Sequence, residues 1–491
     1  VLAASKRAPS ALVQRFALVQ TGWSVAVVGL WIAGMTWLTA DQDYTSGELL
    51  DHLMAWRQGE RLYSDPQQLP YRVFNYPPLG MAVVRMFAAF GMTPLQAGRL
   101  VGTLGILVAL WVIYGWMREM GVSRTLARAT LALTGMSFPL LYAMGQFHLE
   151  GFAIASTLMG VRYVWRSARD TSQLGFVIGG ILMAAAGFVK QTQVLSLMLV
   201  LCWLLVHKRQ HFLAVAGPAL VVGLTGAAVM QWLFGDETWR HIITYTVGTY
   251  SLGNLSFQLT SHLLPWLPLA VGAWYHTFRN DLARRQLATW YLAGVSLLLL
   301  TSARTGSGFQ YFLEWQLVVL LLLAPALQQL TMSVRPIRRS HVVGIATLML
   351  MLNAGTASFL VYNWQSARNT ELAFEKLCAL APKAPALTPT ENPGAARACG
   401  ARPALHPFII ANLTARGLWD ELAFVEDVTA GRYPALLLPF NPGGVVDRVQ
   451  HERWSPAVLR AMRETYHPLQ TDRGWWLLVP VRGTPANSVA R

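Results

Sequence analysis

Stretches of about 20 apolar residues recur along this 491-residue chain, each long enough to cross a bilayer as a helix. They fall roughly at 18–40, 95–117, 127–145, 150–166, 172–190, 192–206, 211–234, 261–278, 287–303, 310–330 and 341–362, which predicts about 11 spans. With 54% hydrophobic residues, 13% charged and mean hydropathy +0.38, the chain has too little polar surface to cover a soluble globule of this size. The expected fold class is a polytopic α-helical membrane protein.

Basic residues set its orientation, because Lys and Arg gather in short cytoplasmic loops. Lys6, Arg7 and Arg15, then Arg118, Arg124 and Arg128, then Arg162, Arg166 and Arg169, fall on one side of the alternating spans. His207, Lys208 and Arg209, Arg279, Arg284 and Arg285, and Arg335, Arg338 and Arg339 continue the pattern on that side. The expectation is a multi-pass protein of a bacterial inner membrane, N-terminus cytoplasmic and C-terminal domain periplasmic. The first apolar run lacks an A-x-A-like cleavage site and reads as a signal anchor. The net charge of +15 is largely this topology signal and an Arg-rich tail, and gives no support to a nucleic-acid partner.

Residues 1–362 are expected to form the membrane domain and 363–491 a small extracytoplasmic α/β domain. In the latter, Phe408-Ile409-Ile410, Ala435 to Leu438 and Gly474 to Pro480 read as short strands, and Ser455-Pro456 opens a helix. Cys378 and Cys399 lie there around a Pro/Ala-rich loop, and an oxidising compartment predicts a disulfide between them. Closing a loop of about 22 residues stabilises by roughly 3 kcal/mol on a chain-entropy estimate. His406, His451 and His467 lack metal-ligand spacing and read as surface or core histidines.

The outer loop 41–94, about 50 residues, is longer than an idle connection needs. It holds two helix candidates. Ser46 to Gln58 sets Leu49, Leu50, Leu53, Met54 and Trp56 among Glu48, Asp51, His52 and Arg57. Pro78 to Phe90 is apolar but too short to span, and both are expected to lie along the interface.

Asp41 and Asp43 at the end of the first span lead through a short helix to Gly59-Glu60-Arg61-Leu62-Tyr63-Ser64-Asp65-Pro66. Asn75-Tyr76-Pro77-Pro78-Leu79 and Gly98-Arg99-Leu100 follow. In this order of motifs the chain resembles the GT-C glycosyltransferases, in the branch of protein mannosyltransferases and lipid A aminoarabinose transferases. The resemblance implies a polyprenyl-phosphate-sugar donor and inverting transfer to an acceptor hydroxyl of a glycan, glycolipid or protein outside the cytoplasm. It also implies an Asp at the end of the first helix as base. Asp43 and Asp41 match by position, but their spacing to Gly59 departs from the commoner Asp-Glu arrangement, so Glu48 remains a rival.

The chemistry asks for such a group independently. An alcohol attacking an anomeric carbon must lose its proton to a base within reach, and nearby negative charge stabilises an oxocarbenium-like transition state. The bland alternative is that Asp41 and Asp43 end one helix in water or cap the next. His148 and Glu150, in a very short outer loop, and Tyr76 are candidates to contact acceptor or sugar. Lys190, a rare lysine away from the cytoplasmic cluster, suits the phosphate that leaves with the polyprenyl chain, against a merely snorkelling role. Arg304, beside Gly306 and Gly308, and Arg240 are further phosphate contacts, and Gln310 with Glu314 suits sugar or acceptor hydroxyls. Asp41-Gln42-Asp43 also reads as a metal-binding D-x-D, but Lys190 and Arg304 balance a phosphate without one. No cofactor is assigned and a divalent metal is disfavoured. The rival classes are a polyprenyl-linked glycan transporter or flippase, for which no internal repeat is seen, and a non-enzymatic envelope assembly protein.

Overall fold

The computed structural model describes residues 11–38, 43–279, 286–332 and 339–481. Asp41 lies outside the described residues. Helix α1 (Ala11–Trp37) precedes α2 (Tyr44–Arg57), and Asp43 caps α2 by accepting the Ser46 N–H at 2.8 Å. The polar face of α2 was expected to lie on the membrane interface. It is buried instead, from Ser46 through Leu53, because Glu48, Asp51 and His52 meet charged residues from the far end of the chain. Contact there is close: a Cβ on Gly47 would stand 2.1 Å from Asn392 Oδ1 and 2.6 Å from the Gly394 nitrogen.

The next helix, α3 (Pro78–Ala89), spans only about 18 Å and cannot cross a bilayer. Its Leu79 N–H bonds the Phe188 carbonyl at 3.1 Å. Helix α4 (Pro94–Glu119) is a full apolar span. The stretch 127–145, expected as one span, is broken into α5 (Arg124–Leu131), a 3-10 turn at Ala132–Met136, and α6 (Phe138–Ala143). Ser137 takes an extended conformation and caps α6, whose first turn holds Pro139. Then come α7 (Glu150–Asp170), α8 (Gln173–Gly187), α9 (Gln193–His207) and α10 (Phe212–Phe234).

Among the described residues, four helices are long and apolar enough to cross a membrane: Leu18–Thr36, Pro94–Glu119, Arg209–Phe234 and Gln310–Gln329. Shorter apolar helices stand at Pro78–Ala89, Gln173–Gly187, Gln193–His207 and Leu287–Ala303. Gln310–Gln329 is largely buried and forms the centre of the bundle, whereas α10 turns Leu213, Leu220 and Trp232 outward, as a lipid-facing helix does. The chain is a polytopic helical membrane protein.

One helix, Arg339–Leu380, runs unbroken through the expected domain boundary at 363. In its last turn Cys378 is bonded to Cys399, which follows the helix. β1 (Leu387–Thr388) pairs in parallel with β2 (Arg402–Pro403), and β3 (Leu436–Leu438), β4 (Tyr466–Asp472) and β5 (Trp475–Pro480) form an antiparallel sheet in the order β3-β5-β4. Phe408-Ile409-Ile410, expected as a strand, lies in the helix Pro407–Ala415. Pro407 opens it, and buried Ile409, Ile410 and Leu413 follow helical spacing. Tyr71 joins the outer loop to this C-terminal unit, donating to Ala404 O at 2.9 Å and accepting from His406 N at 3.0 Å.

Candidate active site

The cap that starts α2 also fixes the Asp43 carboxylate beside the loop before α7. Ser46 Oγ accepts the Phe147 N–H at 3.0 Å, and Thr103 on α4 donates to Met144 O at 2.7 Å, so the loop is held from both sides. From Asp43 a row of charged side chains runs to Lys190. Asp43 Oδ2 lies 3.2 Å from His148 Nε2, and His148 Nδ1 lies 3.3 Å from Glu150 Oε2. Glu150 Oε1 then accepts from Lys190 Nζ at 2.7 Å. The middle is sealed and the ends are only slightly more exposed: His148 and Glu150 side chains are 3% and 2% exposed, against 17% for Asp43 and 11% for Lys190.

Burial alone would raise the Asp43 carboxyl, but the facing His148 and the Ser46 N–H hold it below its ordinary value. Burial likewise opposes a charged His148, yet Asp43 and Glu150 outweigh it and raise the imidazolium to about 10. The row pairs two acidic side chains with two basic ones, so it balances itself. A row balanced in this way has little net charge to offer an anion.

Arg304 adds a further basic group. Its Nη1 donates to Thr246 O at 2.9 Å, while its buried Nε has no hydrogen-bond partner among the described residues. Two cavities meet at Lys190, Arg304, Gln310 and Tyr311. The larger, about 330 Å³, is also lined by Tyr44, Glu48, Tyr76, Phe408 and Arg453. The smaller, about 190 Å³, is lined by Glu150, Gln193 and Glu314. The Lys190 ammonium lies 5.4 Å from the centre of the Tyr311 ring, and Tyr311 lines both cavities.

The structure thus brings Glu150, Lys190, Arg304, Tyr76, Gln310 and Glu314 to the walls of these cavities, while Asp43 and His148 line neither and reach them through Glu150. Arg240 does not join them; it is exposed, pairs with Glu237 at 2.8 Å and lines neither cavity. Glu48 stands in the wall of the larger cavity, with its Oε1 3.4 Å from His406 Nδ1. Sequence reading missed a second grouping here. Glu48 and His52, one helical turn apart, and His406 offer donor atoms within 4.8 Å of one another, a set able to hold a cation. The Glu48–His52 spacing was a visible signal; His406 carried none. Next to it, Asp51 is fully buried and meets Arg72 at 3.1 Å, Arg397 at 2.7 Å and His406 at 2.9 Å.

No protein-family model matches the chain, and no curated protein matches it. Solved structures do. ArnT from Cupriavidus metallidurans bound to undecaprenyl phosphate matches with a TM-score of 0.65 at 12% identity, over 95% of this chain and 98% of that one. The apo form of the same protein gives 0.66 at 13%, over 94% and 98%. The Archaeoglobus fulgidus oligosaccharyltransferase in its apo form gives 0.57 at 11%, over 94% of this chain and 73% of that one. These neighbours are GT-C glycosyltransferases, and the chain shares their fold along nearly its whole length.

Proposed function

We propose that the chain is an inverting glycosyltransferase that moves a sugar from a polyprenyl-phosphate donor to an acceptor hydroxyl at the periplasmic face of a bacterial inner membrane. Residues 363–491 are its periplasmic part. The observation that carries the reading is the row from Asp43 to Lys190, with a partly exposed carboxylate at one end, held by Ser46, His148 and Tyr142, and an ammonium beside two cavities at the other. The neighbour bound to undecaprenyl phosphate supports a lipid phosphate as partner.

Asp43 is the base. It is ionised at neutral pH, and it takes the proton as the acceptor oxygen forms its bond to the anomeric carbon. The bond from that carbon to the phosphate oxygen breaks in the same displacement, and the electron pair leaves on the lipid phosphate. Lys190 and Arg304 meet the departing charge. His148 holds the Asp43 carboxylate in place, while Tyr76, Gln310 and Glu314 contact the sugar or acceptor. Glu48, tied to His406, is the weaker candidate for base.

Asp43→Asn tests this cleanly, because Asn caps a helix as well as Asp does. Transfer should fall by about 100-fold or more, with binding of undecaprenyl phosphate unchanged. A larger loss in Glu48→Gln than in Asp43→Asn moves the base to Glu48. No transfer by the unaltered protein from any polyprenyl-phosphate sugar favours a transporter or scaffold.

A further inference from the structure

At the N-terminus of α9, Gln193 faces the smaller cavity, 6% exposed. Its Nε2 donates to Glu314 Oε2 at 3.2 Å, which fixes the amide, since turning it over would set its oxygen against the carboxylate. The Oε1 atom is then left buried with no hydrogen-bond partner among the described residues. A buried carbonyl without a partner is costly, and in a cavity wall it asks for a donor from a ligand.

Neither carboxylate in that wall is free to bind a cation. Glu150 serves Lys190 and His148. Glu314 accepts from Tyr291 Oη, from Ser196 Oγ at 3.3 Å and from Gln193. An ammonium on the ligand would also share the cavity with Lys190 and Arg304. The unmatched group is a neutral acceptor, and its natural complement is an O–H. At about 190 Å³ the space suits one monosaccharide, not an oligosaccharide.

We propose that Gln193 is a sugar-recognition residue, its carbonyl accepting a hydrogen bond from a hydroxyl of a neutral donor sugar. Glu314, besides its own place in the cavity wall, aims that carbonyl. The proposal rests on the reading of the chain as a polyprenyl-phosphate-sugar transferase, and adds the class of sugar.

The test uses the full chain in lipid nanodiscs and measures binding of bare undecaprenyl phosphate, its neutral hexose and pentose conjugates, and an aminopentose conjugate. The unaltered protein should bind at least one neutral conjugate more tightly than the bare lipid and than the aminopentose conjugate. Gln193→Met, similar in shape but without the acceptor, should reduce that preference about 10-fold while bare-lipid affinity stays within about twofold. Glu314→Gln, which lets the amide turn, should reduce it in part. An undiminished preference in Gln193→Met, equal weakening toward bare lipid and conjugate, a preference for the aminopentose, or no preference for any neutral conjugate overturns the inference. Of these, binding of bare lipid without preference leaves the transferase reading standing. Failure to bind bare lipid and every conjugate sinks both.

Discussion

His148 lies between two carboxylates, and its charge is the hinge on which the row from Asp43 to Lys190 depends. Its folded value near 10 stands above the ordinary 6.5, so its stabilisation is complete below about 6.5 and is lost as pH rises through about 10. Asp43 shifts the other way, so its share is present above the ordinary 3.8 and is lost in acid. A profile of kcat/KM against pH should therefore be flat through neutrality and fall near 10. His148→Gln should lower the rate and abolish that alkaline limb; an identical limb in the variant removes His148 from the account. At this scale the sequence was readable where a residue type was out of place. Lys190 stood out as a lysine in an Arg-rich chain, and Asp43 as charge at the end of an apolar run. Gln193 was not readable, because a glutamine at the mouth of an apolar run looks like an ordinary helix boundary. Only the carboxylate of Glu314, far along the chain, gives it an orientation.

Elements were legible in length and misread in environment. The helix expected at Ser46 to Gln58 is Tyr44–Arg57, but its polar face serves a protein interior and not a membrane surface. Asp51 is the reason: its carboxylate compensates Arg72 and Arg397 in full burial. Its group is held far below the ordinary carboxyl range, burial notwithstanding, chiefly by Arg72 and His406. Asp51→Asn leaves those guanidinium groups uncompensated and should cost about 3–5 kcal/mol in denaturation of the detergent-solubilised protein. Arg240→Ala, which breaks an exposed pair with Glu237, should cost no more than about 1 kcal/mol. Equal effects of the two substitutions contradict a buried ionic joint. Phe408-Ile409-Ile410 shows the other kind of error. Three apolar residues in a row fit a buried strand or a helix equally well, and Pro407 with Leu413 decides for the helix.

Across the whole molecule, hydropathy and the order of motifs were enough to reach the fold shared with the neighbouring transferases. The junction between the first outer loop and the C-terminal unit was not reachable that way. Asp51 meets Arg397 and His406, Glu60 meets Arg402, and Tyr71 pairs with Leu405, all across long stretches of chain with no local periodicity. That junction builds the wall in which Glu48, Tyr76 and Phe408 face Lys190 and Arg304. If the wall encloses the head of a lipid-linked sugar, that lipid should travel with the protein. Mass spectrometry of lipid extracted from the purified chain is the direct measurement. The account predicts a polyprenyl phosphate, bare or carrying one neutral sugar, that is depleted when Lys190 and Arg304 are both replaced by alanine. Absence of any polyprenyl phosphate, together with no uptake of added undecaprenyl phosphate or its sugar conjugates, contradicts it.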